Sequence, residues 1–261
     1  MMASKVLNII LPGTALLLAL AVWEGAVRYY SVPHYILPAP SLVATALVEN
    51  WVTLFRSLYV TLSITIEALV AAVIGGVALA ILFTQWRVVE RALFPFAVVL
   101  QVTPIVAIAP LLLIYLGTNT AVLTCAFLVA FFPILSNTVL GLSSADHNLL
   151  DLFQLYGASR WKQLLMLRLP SALPYFMGGL RIGGGLALIG AIVAEIAAGS
   201  AGEGAGLAYR IVEAGFRQRI PVMFAALVLI SATGIIIYLA LAILSHLLLR
   251  RWHDSERERG T

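Results

Sequence analysis

Charge is scarce in this 261-residue chain: Asp, Glu, Lys and Arg make up 11% of it, against about 25% in soluble domains. With 62% of the residues hydrophobic, the chain reads as one integral membrane domain. Lysine is nearly absent. Lys5 and Lys162 are the only two, and neither follows a glycine. No G-x-x-x-x-G-K-[ST] loop exists to cradle a nucleotide's phosphates. Cys125 is the only cysteine, which rules out an intrachain disulfide and a cysteine metal cluster; it reads as a small buried residue. His34, His147, His246 and His253 are scattered, with no H-E-x-x-H or other compact metal motif. No basic patch interleaved with aromatics suggests nucleic acid. No catalytic constellation stands out, so no catalytic residue, metal or cofactor is expected in the chain.

What remains is a series of apolar runs. Val6 to Trp23 begins an uncleaved first span ending near Val27, because Trp23-Glu24-Gly25 lacks a small-x-small cleavage site. Ile36 to Ser41 (ILPAPS) is an extended lead into an amphipathic helix over Leu42 to Phe55, lying at the interface or against the bundle. Residues 1–57 thus form a first span and a periplasmic segment. Residues 58–249 hold the core spans. Leu58 to Thr84 can cross about 30 Å of hydrocarbon. Ala92 to Ala145 contains no charged residue and has room for two spans. Gly117 to Thr120 is the expected turn, and Pro104 and Pro110 should kink or unwind the first of the pair. A fifth span is expected over Gly178 to Ala198, a glycine-rich polar loop over Gly199 to Arg219, a sixth span over Ile220 to Leu249, and a charged tail over 250–261.

Lys and Arg set the orientation. With the N-terminus inside, Lys5, Arg87, Arg91, Arg160, Lys162, Arg168, Arg181, Arg250, Arg251, Arg257 and Arg259 face the cytoplasm. Arg28, Arg56, Arg210, Arg217 and Arg219 face outward. Eleven of the 16 basic residues are then inside, which favours six spans with both termini cytoplasmic.

The longest charge-bearing interruption is residues 146–174, DHNLLDLFQLYGASRWKQLLMLRLPSALP. His147 to Tyr156 suits a short helix. Gly157 can take the positive φ that ends it. Ser159 is placed to N-cap a second helix over Arg160 to Leu169, which Pro170 and Pro174 should close. The stretch resembles the "EAA" loop in permease subunits of bacterial binding-protein-dependent ABC importers. That pattern reads Glu-Ala-Ala, three residues, Gly, nine residues, Ile, one residue, Leu-Pro. Here Gly157, Leu167 and Leu169-Pro170 match it, and Asp151-Leu152-Phe153 stand in place of Glu-Ala-Ala. The acid is kept and the two alanines are not. ILPAPS and ALPYFMGGLRIGGGLALIGAIVAEIAAG are similar to the nitrate/sulfonate/taurine branch.

The resemblance implies an all-α polytopic fold of the type I importer kind, with cytoplasmic coupling helices, in the bacterial inner membrane. Asp151, Gly157, Ala158, Ser159, Arg160, Trp161 and Lys162 would couple to an ATPase subunit. The implied partners are a second permease copy, two ATP-binding subunits carrying ATP and Mg, and a periplasmic or lipid-anchored binding protein. The cargo would be a small solute, with an anion expected. Glu195, Gln101 and Glu67 are the candidates for the translocation path or gate, as polar side chains in or near spans. Glu195 has a plainer alternative: a place close enough to the outer end to reach water or a polar partner. Gly179 and Gly183, at G-x-x-x-G spacing, suit close helix contact within one subunit or between two. A gradient-driven secondary transporter or channel is the alternative class; the chain has no clear internal repeat of the kind such proteins use.

Overall fold

The computed structural model describes residues 2–199 and 204–250, and among these every regular element is helical. Helix α1 covers Met2–Tyr29, α2 Pro40–Glu49 and α3 Trp51–Gln85. The amphipathic segment is therefore two helices. The break falls at Asn50, whose side-chain amide donates to the Ala46 carbonyl at 2.8 Å and terminates α2. The core span then starts at Trp51, seven residues ahead of the expected Leu58. At the far end of α1 the Glu24 carboxylate accepts from the Ser41 backbone N–H (3.0 Å) and hydroxyl (2.8 Å), which pins α1 to the first turn of α2.

Helices α4 (Arg87–Val102) and α5 (Ile105–Leu116) fill the first half of the charge-free stretch. They meet at 100°, and only together are they long and apolar enough to cross a membrane. Pro104 causes the break. It has no N–H to continue the helix and holds Thr103 extended, at φ −69° and ψ 123°. Pro110 lies inside α5 without breaking it. Gly117 alone, at φ +73°, makes the turn into α6 (Thr118–Ser143), so Thr118 to Thr120 are already helical. Among the described residues, five single helices are long and apolar enough to cross a membrane, and the bent pair makes a sixth.

Residues Arg160 to Ala198 form one continuous rod: α8 (Arg160–Gln163), a π-turn over Leu164–Arg168, and α9 (Leu169–Ala198). Pro170 and Pro174 do not close the second corner helix. In the π-turn the Leu169 N–H reaches back five residues to the Leu164 carbonyl. This wider turn, just ahead of Pro170, relieves the ring where an α-turn would press it on the Met166 carbonyl. Beyond Gly199, the expected loop contains a further helix, α10 (Leu207–Phe216), before α11 (Ile220–Leu249). The tail beyond Arg250 and residues 200–203 lie outside the described residues.

The core runs where α3, α6 and α9 meet, through Ala68, Ala72, Ala126, Ala130 and Ala191, all fully buried. In lipid there is little hydrophobic drive between helices, so close backbone approach supplies the packing. Gly141 lies against the Ala172 backbone, Gly179 against Asn137 and the Pro133 carbonyl, Gly183 against Ile134, and Gly190 against the Ala126 backbone. The numbers rise on one helix as they fall on the other, so α6 and α9 are antiparallel. Gly179 and Gly183 thus serve contact within the subunit, and Gly184 faces Leu241 of α11.

This packing predicts a graded result. A methyl group at Gly141 would stand 2.8 Å from the Ala172 Cα, and one at Gly190 would stand 2.9 Å from the Ala126 Cα. Both clash with backbone, which cannot rotate away. Gly141→Ala and Gly190→Ala should each cost about 1–3 kcal/mol and lower the melting temperature in detergent. Gly185→Ala, where nothing lies within 4 Å, should not.

Candidate functional site

The corner is built by local chemistry. The Asp146 carboxylate accepts from the Asn148 N–H at 2.8 Å and caps α7 (His147–Leu155). Gly157 follows at φ +67°. Its N–H donates to the Gln154 carbonyl, and the Ala158 N–H donates to the Phe153 carbonyl. These are the two crossed bonds of a Schellman closure. The Ser159 hydroxyl accepts from the Lys162 N–H at 3.3 Å, which starts α8. The Gln163 side chain donates to the Ala158 carbonyl at 3.0 Å and ties the second helix back to the turn. Buried Leu150 clusters with Ala145 and Leu167, which holds α7 against the long rod. Local hydrogen bonds close the turn and start the second helix, and the Leu150 contact sets the first helix against the rod, so the two helices are held at a fixed angle.

This rigid corner exposes large apolar side chains. Leu155 is 85% exposed, Tyr156 84% and Trp161 58%. A groove of about 570 Å³ is lined by Leu152, Phe153, Tyr156, Gly157, Ala158, Ser159, Lys162 and Met166. Of the predicted corner residues, Gly157, Ala158, Ser159 and Lys162 share this groove. Asp151 is exposed on α7 outside it. Arg160 turns the other way, donating to the Gln85 carbonyl at the end of α3 over 3.4 Å.

The three predicted path residues are not brought together. Gln101 lines a cavity of about 240 Å³ beside the bend, with Phe132, Pro133 and Leu186. Glu67 is exposed on α3. Glu195 is 4% exposed, and its carboxylate accepts from the Thr61 hydroxyl (2.7 Å) and from the Ala208 N–H (3.0 Å). Thr61 in turn accepts from the Leu207 N–H at 2.9 Å. The carboxylate and the hydroxyl therefore take up two free donors of α10's first turn, where negative charge is favoured. Gly206 lies directly against the carboxyl group, with no room for a Cβ. This is the polar-partner alternative, in the form of a latch joining α3, α9 and α10. Nearby, Arg210 donates to the Ser57 hydroxyl (3.0 Å) and pairs with Glu213 (2.7 Å).

Sequence reasoning missed Thr61, which is 134 residues from Glu195, and read Gly206 only as part of the glycine-rich loop. It also counted Arg181 only as a cytoplasmic charge. Arg181 stands level with Ile134 to Asn137 of α6, inside the rod, and its buried Nε has no hydrogen-bond partner among the described residues.

The rigid glycine corner on a bundle of membrane-length helices agrees with what sequence comparison finds. Residues 72–254 match the family described as binding-protein-dependent transport system inner membrane component. The chain belongs to that family. It is 33% identical over 228 residues to a probable ABC transporter permease protein of Haemophilus influenzae, covering 87% of this chain and 91% of that protein. It is 34% identical over 248 residues to the riboflavin transport system permease protein RibX of Chloroflexus aurantiacus, covering 94% of this chain and 90% of the relative. The taurine transport system permease protein TauC of Escherichia coli is 28% identical, over 90% of this chain and 86% of its own length. A crystal structure of an amino acid ABC transporter with histidines superposes with a TM-score of 0.61 at 20% identity, covering 79% of this chain and 97% of that one. That similarity supports the fold. This is a multi-pass, all-α permease subunit of an ABC importer, a transport component, and family membership decides against the gradient-driven alternative.

Proposed function

We propose that two copies of this permease form a path for a small organic solute, and that each is driven through the corner at Gly157 by a separate ATPase subunit. The observation that carries this reading is the corner itself: a turn locked by its own hydrogen bonds, carrying an exposed apolar groove. Apolar and aromatic side chains around a pocket suit a protein partner. A rigid element transmits a partner's displacement into the spans, and alternation between inward-open and outward-open states follows as a rigid-body motion. ATP and Mg would sit on the partner, since this chain carries no phosphate-binding loop. A binding protein would deliver the solute from outside, and both termini and Gly157 would be cytoplasmic.

The cargo is read as a small heterocycle. Relatives at 34% and 33% identity are named for riboflavin and formylaminopyrimidine transport. Those named for aliphatic sulfonates and taurine stand at 28%. The partner binding protein should accordingly retain a flavin or pyrimidine through purification; retention of a sulfonate would replace this reading.

Topology and energy source can be checked together. In a Cys125→Ser background, an impermeant thiol reagent applied outside should label Gln218→Cys and leave Tyr156→Cys unlabelled. The purified permease should hydrolyse no ATP by itself. Hydrolysis should appear with its ATPase partner and rise with loaded binding protein. Labelling of Tyr156→Cys alone, or ATPase activity in the pure chain, would overturn the assignment.

A further inference from the structure

Behind the corner, on the side away from its apolar groove, lies a cavity of about 470 Å³ lined in part by Trp86, Arg87, Arg160 and Arg168. A second cavity of about 340 Å³ adjoins it, sharing Arg87 and Arg168 and adding Arg91 and Glu90. Two of the four guanidinium groups are fixed by helix ends. Arg160 donates to the Gln85 carbonyl at the end of α3, and Arg168 donates to the Leu142 carbonyl near the end of α6, each over 3.4 Å. These are long bonds, and a guanidinium has five N–H donors, so most of the donors stay available. Arg87 and Arg91 are one turn apart on α4, at the helix end where positive charge is disfavoured. Arg87 is also near enough to Arg168 for their charges to repel. Glu90 is the one carboxylate in the lining, and it forms no ion pair with any of the four among the described residues. Four cations against one acid, gathered round an open cleft, form an anion site.

The cleft's depth says which anion. Helix α6 has 26 residues, about 39 Å of rise, close to the 40–45 Å of a bilayer with its headgroups. Its end, and the Arg168 bonded to it, therefore fall in the headgroup layer. The rim agrees: Trp86 is 50% exposed and Val88 80% exposed. This is the interfacial setting that tryptophan favours, with an apolar surface for an acyl chain beside the charged floor. We propose that the cleft binds the phosphodiester headgroup of an anionic lipid from the inner leaflet, clamped by Arg87 and Arg168 and flanked by Arg91 and Arg160. Basic pockets between spans on the cytoplasmic side suit such headgroups. The inference rests on the inward orientation of Gly157 proposed above. It places a lipid against the back of the corner, where its presence stiffens the joint between α3, α4 and the rod.

The test is native mass spectrometry of the assembled transporter, released from a mixture of phosphatidylglycerol and phosphatidylcholine. The wild type should retain phosphatidylglycerol in preference. Arg87→Gln/Arg168→Gln should lose that preference by about thirtyfold, and Arg87→Lys/Arg168→Lys, which keeps the charges, should retain most of it. Arg217→Gln, at the opposite end of the molecule, should leave it unchanged. Phosphatidylglycerol should raise the melting temperature of the complex where inorganic phosphate at equal concentration does not. Equal retention by wild type and the Gln double variant would overturn the proposal, as would equal stabilisation by inorganic phosphate. So would a preference seen only when the permease is stripped of its ATPase, which would mean that an acidic side chain of that subunit fills the cleft. Orientation fails separately, through the Tyr156→Cys labelling.

Discussion

Gly157→Val should cut transport and binding-protein-stimulated ATP hydrolysis roughly tenfold or more, while the permease still inserts and folds. This site separates two effects that usually mix. A Cβ at Gly157 meets nothing within 4 Å, so the substitution creates no clash. Its whole effect is on the backbone, which sits at φ +67°. A β-branched residue held there is strained by about 1–3 kcal/mol, and 1.4 kcal/mol is a factor of ten. The corner relieves that strain by opening the Schellman closure, so α7 and α8 meet at a different angle. The spans are untouched. Gly157→Asn should keep most of the activity, because asparagine tolerates the left-handed region. Reconstituted transport and ATP hydrolysis, measured beside pull-down of the ATPase subunit, decide the matter. Wild-type rates in Gly157→Val would mean that the corner angle does not transmit the stroke.

The corner was legible in the sequence because its determinants are adjacent. A glycine, an N-capping serine two residues on, and an apolar helix before them act over single turns. The spans were legible for a related reason, since lipid requires long apolar helices. Misreadings came where tertiary packing overrode a local signal. Pro170 looks like a stop, yet a π-turn ahead of it carries the helix through, held by contacts to α6 such as the burial of Leu164 in one cluster with Leu142. The glycine-rich stretch after Ala198 looks like a flexible loop. It contains α10, whose buried Leu207 and Ala214 lie two turns apart with the half-buried Ile211 between them. That spacing was a readable helical signal, masked by the glycines before it. The Glu195 latch was beyond local reading. Thr61 and Glu195 are 134 residues apart, and nothing in the sequence near Glu195 indicates its partner.

That latch gives the second large effect, and its chemistry distinguishes a packing role from a charge needed for transport. In Gly206→Ala the added methyl group occupies the place of the Glu195 carboxyl group. The carboxylate must leave the Thr61 hydroxyl and the Ala208 N–H. Leaving these buried polar groups without partners costs about 1–3 kcal/mol each, which for a chain of this size lowers the melting temperature by several degrees. Gly204→Ala, with nothing within 4 Å, is the matched control and should melt like the wild type. Glu195→Ala should resemble Gly206→Ala, because the Ala208 N–H is left buried without an acceptor. Glu195→Gln should be mild. Its amide oxygen can accept from Ala208 while its NH₂ donates to Thr61. The Thr61 oxygen has a second lone pair, and its proton can turn wholly to the Ser57 carbonyl, already 3.2 Å away. If Glu195 serves as the latch, Glu195→Gln keeps both stability and transport, and Gly206→Ala loses both. If the carboxylate's charge lines the path, Glu195→Gln melts normally and transports nothing, and the latch reading fails.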